Sequence, residues 1–237
     1  VPETLVLLHG ANGSAAEMAP VAQRLPPEIV TFAPDWLGHG GRPPPGAEYG
    51  ITAIADDIEA AMDTAGIGRC FVFGYSIGGM LAMMLAHRRP DRIAGIATLA
   101  ARAIWHPAAV AHIVHLADPA RLTRPGNPRA AELAAIHHPT DWRLVNAANR
   151  RLFADLGHNP PLSPGDLRAM RVPVLVMNGS EDQLVPLAET HALAGSFATW
   201  RLGLFPGPAH PLTATPLDDI AASIAGFIRD VVARDHA

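Results

Sequence analysis

Short apolar runs alternate along the chain with longer stretches in which apolar residues return every three or four positions. Thr4–Leu8 (TLVLL) predicts a buried strand ending at His9-Gly10. Ser14 is placed to cap a helix running to about Arg24, stopped by Pro26-Pro27. Glu28–Ala33 predicts a second strand ending at Asp35, and Gly38 to Gly50 a loop holding Pro43-Pro44-Pro45. Ile51 to Ala65 has helical spacing and stops at Gly66. Cys70–Gly74 predicts the third strand, Ser76–His87 a helix, and Arg92–Ala100 the fourth strand. Val172–Met177 and Thr199–Phe205 predict strands five and six, and Leu217 to Ala233 a closing helix. Strands separated by helices imply an α/β fold, a mostly parallel central sheet covered by helices on both faces.

Between strands four and five the pattern breaks. From Ala103 to Gly165 no strand is evident, whereas Ala130–Ile136 and Asp141–Phe153 keep helical spacing. So long a segment without structure of its own would be unusual in a compact domain. The expected organisation is a core of residues 1–102 and 166–237, with residues 103–165 as a helical cap over one end of the sheet.

Composition removes several function classes. With 49% hydrophobic and 17% charged residues, the chain is too apolar to be intrinsically disordered. All 18 basic residues are arginine, which excludes Schiff-base chemistry and a phosphate-binding P-loop lysine. A net charge of −4 carries no electrostatic footprint for nucleic acid. The single cysteine, Cys70, excludes internal disulfides and multi-cysteine metal sites. Cys70 to His87 lacks Arg, Asp and Glu, but the Gly74-Tyr75-Ser76-Ile77-Gly78-Gly79 turn at its centre argues against a membrane span. No basic and apolar leader is visible at Val1-Pro2-Glu3-Thr4. The expectation is a soluble cytoplasmic protein with no membrane partner.

Gly74-Tyr75-Ser76-Ile77-Gly78 is a G-x-S-x-G motif lying between an apolar strand and a helix, where its mechanics require it. A nucleophile on such a turn projects into a cleft, and the flanking glycines let strand and helix approach. His9-Gly10-Ala11-Asn12-Gly13-Ser14, directly after the first strand, can aim a backbone N–H beside that serine. The expected oxyanion donors are the backbone N–H groups of Ala11 and Ile77. His9 reads as a brace for this loop, and Asp35 and His39 as turn-forming.

Together with Asp35-Trp36-Leu37-Gly38-His39-Gly40, Asn178-Gly179-Ser180-Glu181-Asp182-Gln183-Leu184-Val185-Pro186 and Gly207-Pro208-Ala209-His210-Pro211, these motifs resemble the α/β-hydrolase fold family. The resemblance covers both flanks and leaves the insertion uncovered. It implies a catalytic triad in the order Ser76, Asp182, His210. Glu181 is a local competitor for the acid, ranked lower because Asp182 is the residue that aligns. The family's other place for the acid, after the fourth strand, reads Ala100-Ala101-Arg102-Ala103 and is closed. Family members usually carry an antiparallel hairpin ahead of the first strand, and here only Val1-Pro2-Glu3 precedes it. Either a reduced, all-parallel sheet of six strands is expected, its edge exposed or covered by a partner chain, or a preceding segment lies outside this sequence.

A serine nucleophile disfavours the dehalogenase and epoxide-hydrolase chemistries of this fold, which use aspartate there. The resemblance implies two-step acyl transfer on a small to medium carboxylic ester, thioester or lactone, with a small molecule as substrate, a homodimer as the other partnership left open, and no cofactor. Carbon–carbon bond hydrolysis, hydroxynitrile cleavage and cofactor-free oxygenation are the alternative enzymatic uses of the triad. A receptor-like ligand-binding protein is the alternative of another class. Trp105, Trp142 and Phe153 are the candidate substrate contacts in the cap. His112 with His115, and His137-His138, lack a ligand pattern, so no metal site is expected.

Overall fold

The computed structural model describes residues 2–235. Its strands are β1 (Glu3–Leu8), β2 (Ile29–Phe32), β3 (Cys70–Tyr75), β4 (Ile93–Leu99), β5 (Val174–Gly179) and β6 (Trp200–Phe205). They form one sheet in the order β2-β1-β3-β4-β5-β6, and every adjacent pair is parallel. Among the described residues no antiparallel strand extends it. β2 and β6 are its edges, where Val30, Trp200 and Leu204 stand exposed.

The inner strands are apolar on both faces, as a sheet covered on both sides requires. Val6 and Leu8 of β1, Val72 of β3 and Val174 and Val176 of β5 enter one core. Leu5 and Leu7, Phe71 and Phe73, and Leu175 and Met177 enter the other. The first core is closed by α2 (Ile51–Thr64), α3 (Ile77–Arg88), α8 (Pro164–Ala169) and α9 (Leu187–Ala194). The second is closed by α1 (Ala19–Ala22) and α10 (Leu217–Asp235). α3 is buried from Ile77 through Ala86, so it shows no polar face and reads as one apolar run.

The segment after Ser14 departs from the expected single helix. A 3₁₀ turn (Ala15–Met18) leads into the one-turn α1, and the Ser14 side chain does not cap it. The Asp35 carboxylate takes that role, accepting the Ala15 N–H at 2.6 Å. Between β4 and β5 the chain is helical: α4 (Pro107–Leu116), α5 (Pro119–Leu122), α6 (Arg129–His137) and α7 (Trp142–His158) precede α8. Side chains of His106, Asp118 and Asp141 cap α4, α5 and α7. α7 lays Val145, Leu152, Phe153 and Leu156 inward and packs against α4 and α6. Among the described residues, no helix is long and apolar enough to cross a membrane.

Candidate active site

Ser76 sits between the end of β3 and the start of α3 with φ 55° and ψ −121°. A non-glycine residue adopts that backbone only at a cost, and here the surroundings enforce it. Ser76 N–H donates to the Leu99 carbonyl of β4 at 2.9 Å. A Cβ on Gly74 would strike the Gly78 backbone, and one on Gly78 would strike the Leu8 carbonyl oxygen. Only hydrogen fits at either position, so α3 can start directly above the sheet and hold the serine hydroxyl clear of it.

Asp182 follows β5 and His210 follows β6, adjacent strands that end at the same side of the sheet. Asp182 Oδ1 accepts the N–H groups of Leu184 (3.0 Å) and Val185 (2.7 Å), and Oδ2 accepts that of Ala209 (3.0 Å). Oδ2 also lies 2.8 Å from His210 Nδ1, and His210 Nε2 lies 3.0 Å from Ser76 Oγ. Burial would push the Asp182 carboxyl up; the His210 hydrogen bond and charge, with the Val185 and Ala209 donors, outweigh it and hold the carboxyl below its ordinary value. The ionised carboxylate favours the tautomer with the proton on Nδ1, leaving Nε2 free to accept from the serine. Glu181 is exposed and takes no part in this chain of contacts.

The loop after β1 is held on both sides of Ala11. Gly10 N–H donates to Glu17 Oε2 (2.8 Å), Asn12 N–H to His39 Nε2 (3.3 Å) and Gly13 N–H to the Gly10 carbonyl (3.1 Å). Ile77 opens α3, so its N–H has no acceptor within the helix. His9 is fully buried, stacked on Trp36 with ring centroids 3.6 Å apart, and its Nδ1 lies 2.8 Å from the Gly10 carbonyl. Burial drives its pKa down to about 3, against a small upward pull from Gly10 and a further lowering by His137. His9 is therefore a neutral structural ring. His39, also buried, is shifted down for the same first reason. It lies 3.1 Å from Asn149 Nδ2 of α7.

Ser76 and His210 open into a cavity of about 390 Å³. Ile113, Leu116, Leu122, Leu133, Phe153 and Leu184 form its apolar wall; Asn12, Glu17, Tyr75, Arg129 and Glu132 are its polar lining. Of the three aromatic residues expected to touch substrate, Phe153 lines this cavity. Trp105 and Trp142 do not. Trp105 is buried behind Phe153, with ring centroids 5.2 Å apart and the Arg102 guanidinium over its face. Trp142 is buried at the first turn of α7 beneath Arg143. Packing takes both indoles, which leaves Phe153 and Tyr75 as the aromatic side chains of a mainly aliphatic wall. Glu17 and Arg129 were not legible as site residues: each lies in an ordinary alanine-bearing stretch, and only folding brings them beside Tyr75. His112 and His115 are exposed, and among the described residues no three His, Cys, Asp or Glu side chains gather as metal ligands.

A hydroxyl bonded to an imidazole that is in turn bonded to a buried carboxylate can give up its proton while attacking an electrophilic carbon. Backbone N–H groups beside such a hydroxyl can donate to an oxygen on which negative charge develops.

Known proteins share this framework. The chain is 27% identical to a putative carbamate hydrolase from a Caulobacter species, over 95% of this chain and 90% of that one. It is 27% identical to a poly(3-hydroxyalkanoate) depolymerase from Ectopseudomonas oleovorans, over 95% and 84%. The enol-lactonase structure from Burkholderia xenovorans superposes with a TM-score of 0.71 at 24% identity, covering 98% of this chain and 92% of that one. Residues 3–163 match the family model described as the alpha/beta hydrolase fold. With the parallel sheet, the serine turn and the strand-end histidine and aspartate already in place, the chain belongs to the α/β-hydrolase fold family and is a hydrolase.

Proposed function

We propose that the protein cleaves a small to medium carboxylic ester, thioester or lactone through an acyl-enzyme on Ser76. The observation that carries this reading is the continuous contact from Asp182 through His210 to Ser76, at 2.8 and 3.0 Å. Ser76 Oγ attacks the carbonyl carbon as its proton passes to His210 Nε2. The carbonyl oxygen becomes an oxyanion facing the Ala11 and Ile77 N–H groups. Collapse breaks the bond to the leaving group, which takes the proton from His210. Water then repeats the sequence: His210 removes its proton, the acid departs, and Ser76 regains its hydrogen. Asp182 orients the ring and stabilises the imidazolium. No metal or organic cofactor enters these steps.

In this reading α4–α7 act as a cap whose aliphatic wall sets the size of the substrate. Relatives named for a carbamate, a poly(3-hydroxyalkanoate) and an enol-lactone support a carbonyl substrate. A fluorophosphonate probe tests the reading directly. Labelling of the folded protein, lost in Ser76→Ala, is expected, with turnover of short-chain nitrophenyl esters lost in the same variant. Absence of Ser76-dependent labelling in folded protein overturns it. Labelling with no turnover of any ester, thioester or lactone moves the chemistry to carbon–carbon bond hydrolysis, hydroxynitrile cleavage or cofactor-free oxygenation.

A further inference from the structure

Glu17 is a carboxylic residue in the wall of the cavity that holds Ser76 and His210, and none of the steps above uses it. It arrives there because the 3₁₀ turn after Ser14 brings it back over the β1 loop. Oε2 accepts the Gly10 N–H at 2.8 Å, whereas Oε1 accepts from no group of the described chain. The loop is shaped around this carboxyl: a Cβ on Gly13 would lie 2.5 Å from Oε2. Beside it stands Tyr75, whose ring centroid is 5.1 Å from that of His210. From α6, Arg129 and Glu132 line the same cavity and pair with each other at 3.1 Å. The polar lining thus holds two carboxyl groups and one guanidinium, and that guanidinium already has a carboxylate partner. An anionic substrate group would meet two carboxyl groups and a single guanidinium already paired with one of them. A donor group meets a waiting acceptor.

We infer that Glu17 is a specificity residue, and that the substrate carries a hydrogen-bond-donating group (hydroxyl, amide N–H or ammonium) that binds Glu17 Oε1 while its ester carbonyl faces Ser76. The inference rests on the hydrolase reading and names the substrate class for it. Burial pushes the Glu17 carboxyl up, with Gly10, Arg129 and His210 pulling the other way. The carboxylate keeps Oε1 free to accept from a hydroxyl or an amide N–H. An ammonium would hold it ionised and neutralise that charge. A site built to hydrogen-bond a polar substrate group rejects the analogue lacking it far more strongly than an apolar pocket rejects a missing methylene.

The test uses two matched ester series. In one, nitrophenyl hexanoate is compared with the same ester carrying a terminal hydroxyl, ammonium or carboxylate. In the other, the same three groups end the alcohol of hexyl acetate. For the wild type we expect kcat/KM for the hydroxyl or ammonium ester to exceed that of the plain ester by about tenfold or more in at least one series. The carboxylate ester is expected to be the poorest. In Glu17→Met the preference collapses toward unity; in Glu17→Gln the hydroxyl preference survives and the ammonium preference goes. A role confined to bracing Gly10 would lower all esters together and leave the ratios unmoved. The same ligands are titrated calorimetrically into Ser76→Ala and into the Ser76→Ala/Glu17→Met double variant, a readout independent of turnover. The same ranking in binding, lost in the double variant, supports the inference even if no ester is hydrolysed, in which case the hydrolase reading alone fails. Equal affinity for plain and donor-bearing ligands, or preference for the carboxylate, overturns it.

Discussion

At the scale of single residues, the site depends on atoms that must be present and on atoms that must be absent. Asp182 has four donors on two oxygens, so exchanging it for Asn leaves a partner set built for a carboxylate and inverts the histidine's tautomer preference. Asp182→Asn is expected to lower kcat by about 10⁴-fold, read on a nitrophenyl ester, with labelling of Ser76 slowed in parallel. Gly78→Ala puts a methyl group against the Leu8 and His9 carbonyl oxygens, which are backbone and cannot rotate away. It should cost about 3 kcal/mol or more of stability in urea denaturation, because β1 or α3 must shift. A midpoint within a few tenths of a kcal/mol of wild type would show that α3 is not held as closely to β1 as described. These residues were legible in the chain because their signals are local. A serine between two glycines at a strand–helix junction needs no tertiary information to stand out.

At the scale of elements, the loops over the sheet are tied down by side chains in addition to their own backbone hydrogen bonds. Asp57 of α2 accepts the Leu37 N–H at 2.7 Å and both Nη groups of Arg42 at 2.7 and 2.6 Å. That clasp holds the turn carrying Trp36 and His39 against α2. Asp57→Asn removes the charge and one fork of the pair. Because Arg42 is half exposed, a loss of only about 1 kcal/mol of global stability is expected. The sharper readout is local, faster amide exchange at Leu37 and its neighbours with β3 unaffected. Helices and strands were largely legible from spacing, apart from their ends. The segment after Ser14 was not, because Asp35, distant in sequence, captures the Ala15 N–H and tightens the turn. Nor was the fate of Trp105 and Trp142: an aromatic residue in a cap reads alike whether it faces ligand or core.

For the whole molecule, the junction between the sheet and the helices above it holds neutral, buried histidines. His9 and His39 face each other with ring centroids 5.2 Å apart, His137 of α6 lies 5.7 Å from His39, and all three are shifted down chiefly by burial. Unfolded, each would titrate near 6.5. Between that value and the folded value, about 3 for His9, the unfolded chain binds the extra proton. Stability must therefore fall as pH drops through this window, by about 1.4 kcal/mol per pH unit for each fully buried histidine. Urea midpoints from pH 7 to pH 4 should decline, and His9→Phe should flatten the slope. A flat profile in the wild type would mean that these rings reach water. Asp182 acts in the same direction only lower, its contribution being lost as pH falls below the ordinary carboxylate value.

The amino-acid sequence by itself determined the alternation of strands and helices, the parallel sheet and the order of serine, aspartate and histidine. The elements and the serine turn are written in short-range patterns, apolar period and glycine placement; Asp182 and His210 are marked by the family resemblance of the motifs after the fifth and sixth strands. Tertiary structure decided which side chains share the cavity. It buried the Trp105 indole behind Phe153 and the Trp142 indole beneath Arg143, and brought Glu17 and Arg129, far apart along the chain, to the lining beside Tyr75. It also sealed His9, His39 and His137 away from water. The physical reason is that burial and electrostatic environment belong to the packed ensemble of elements. No residue type carries them alone.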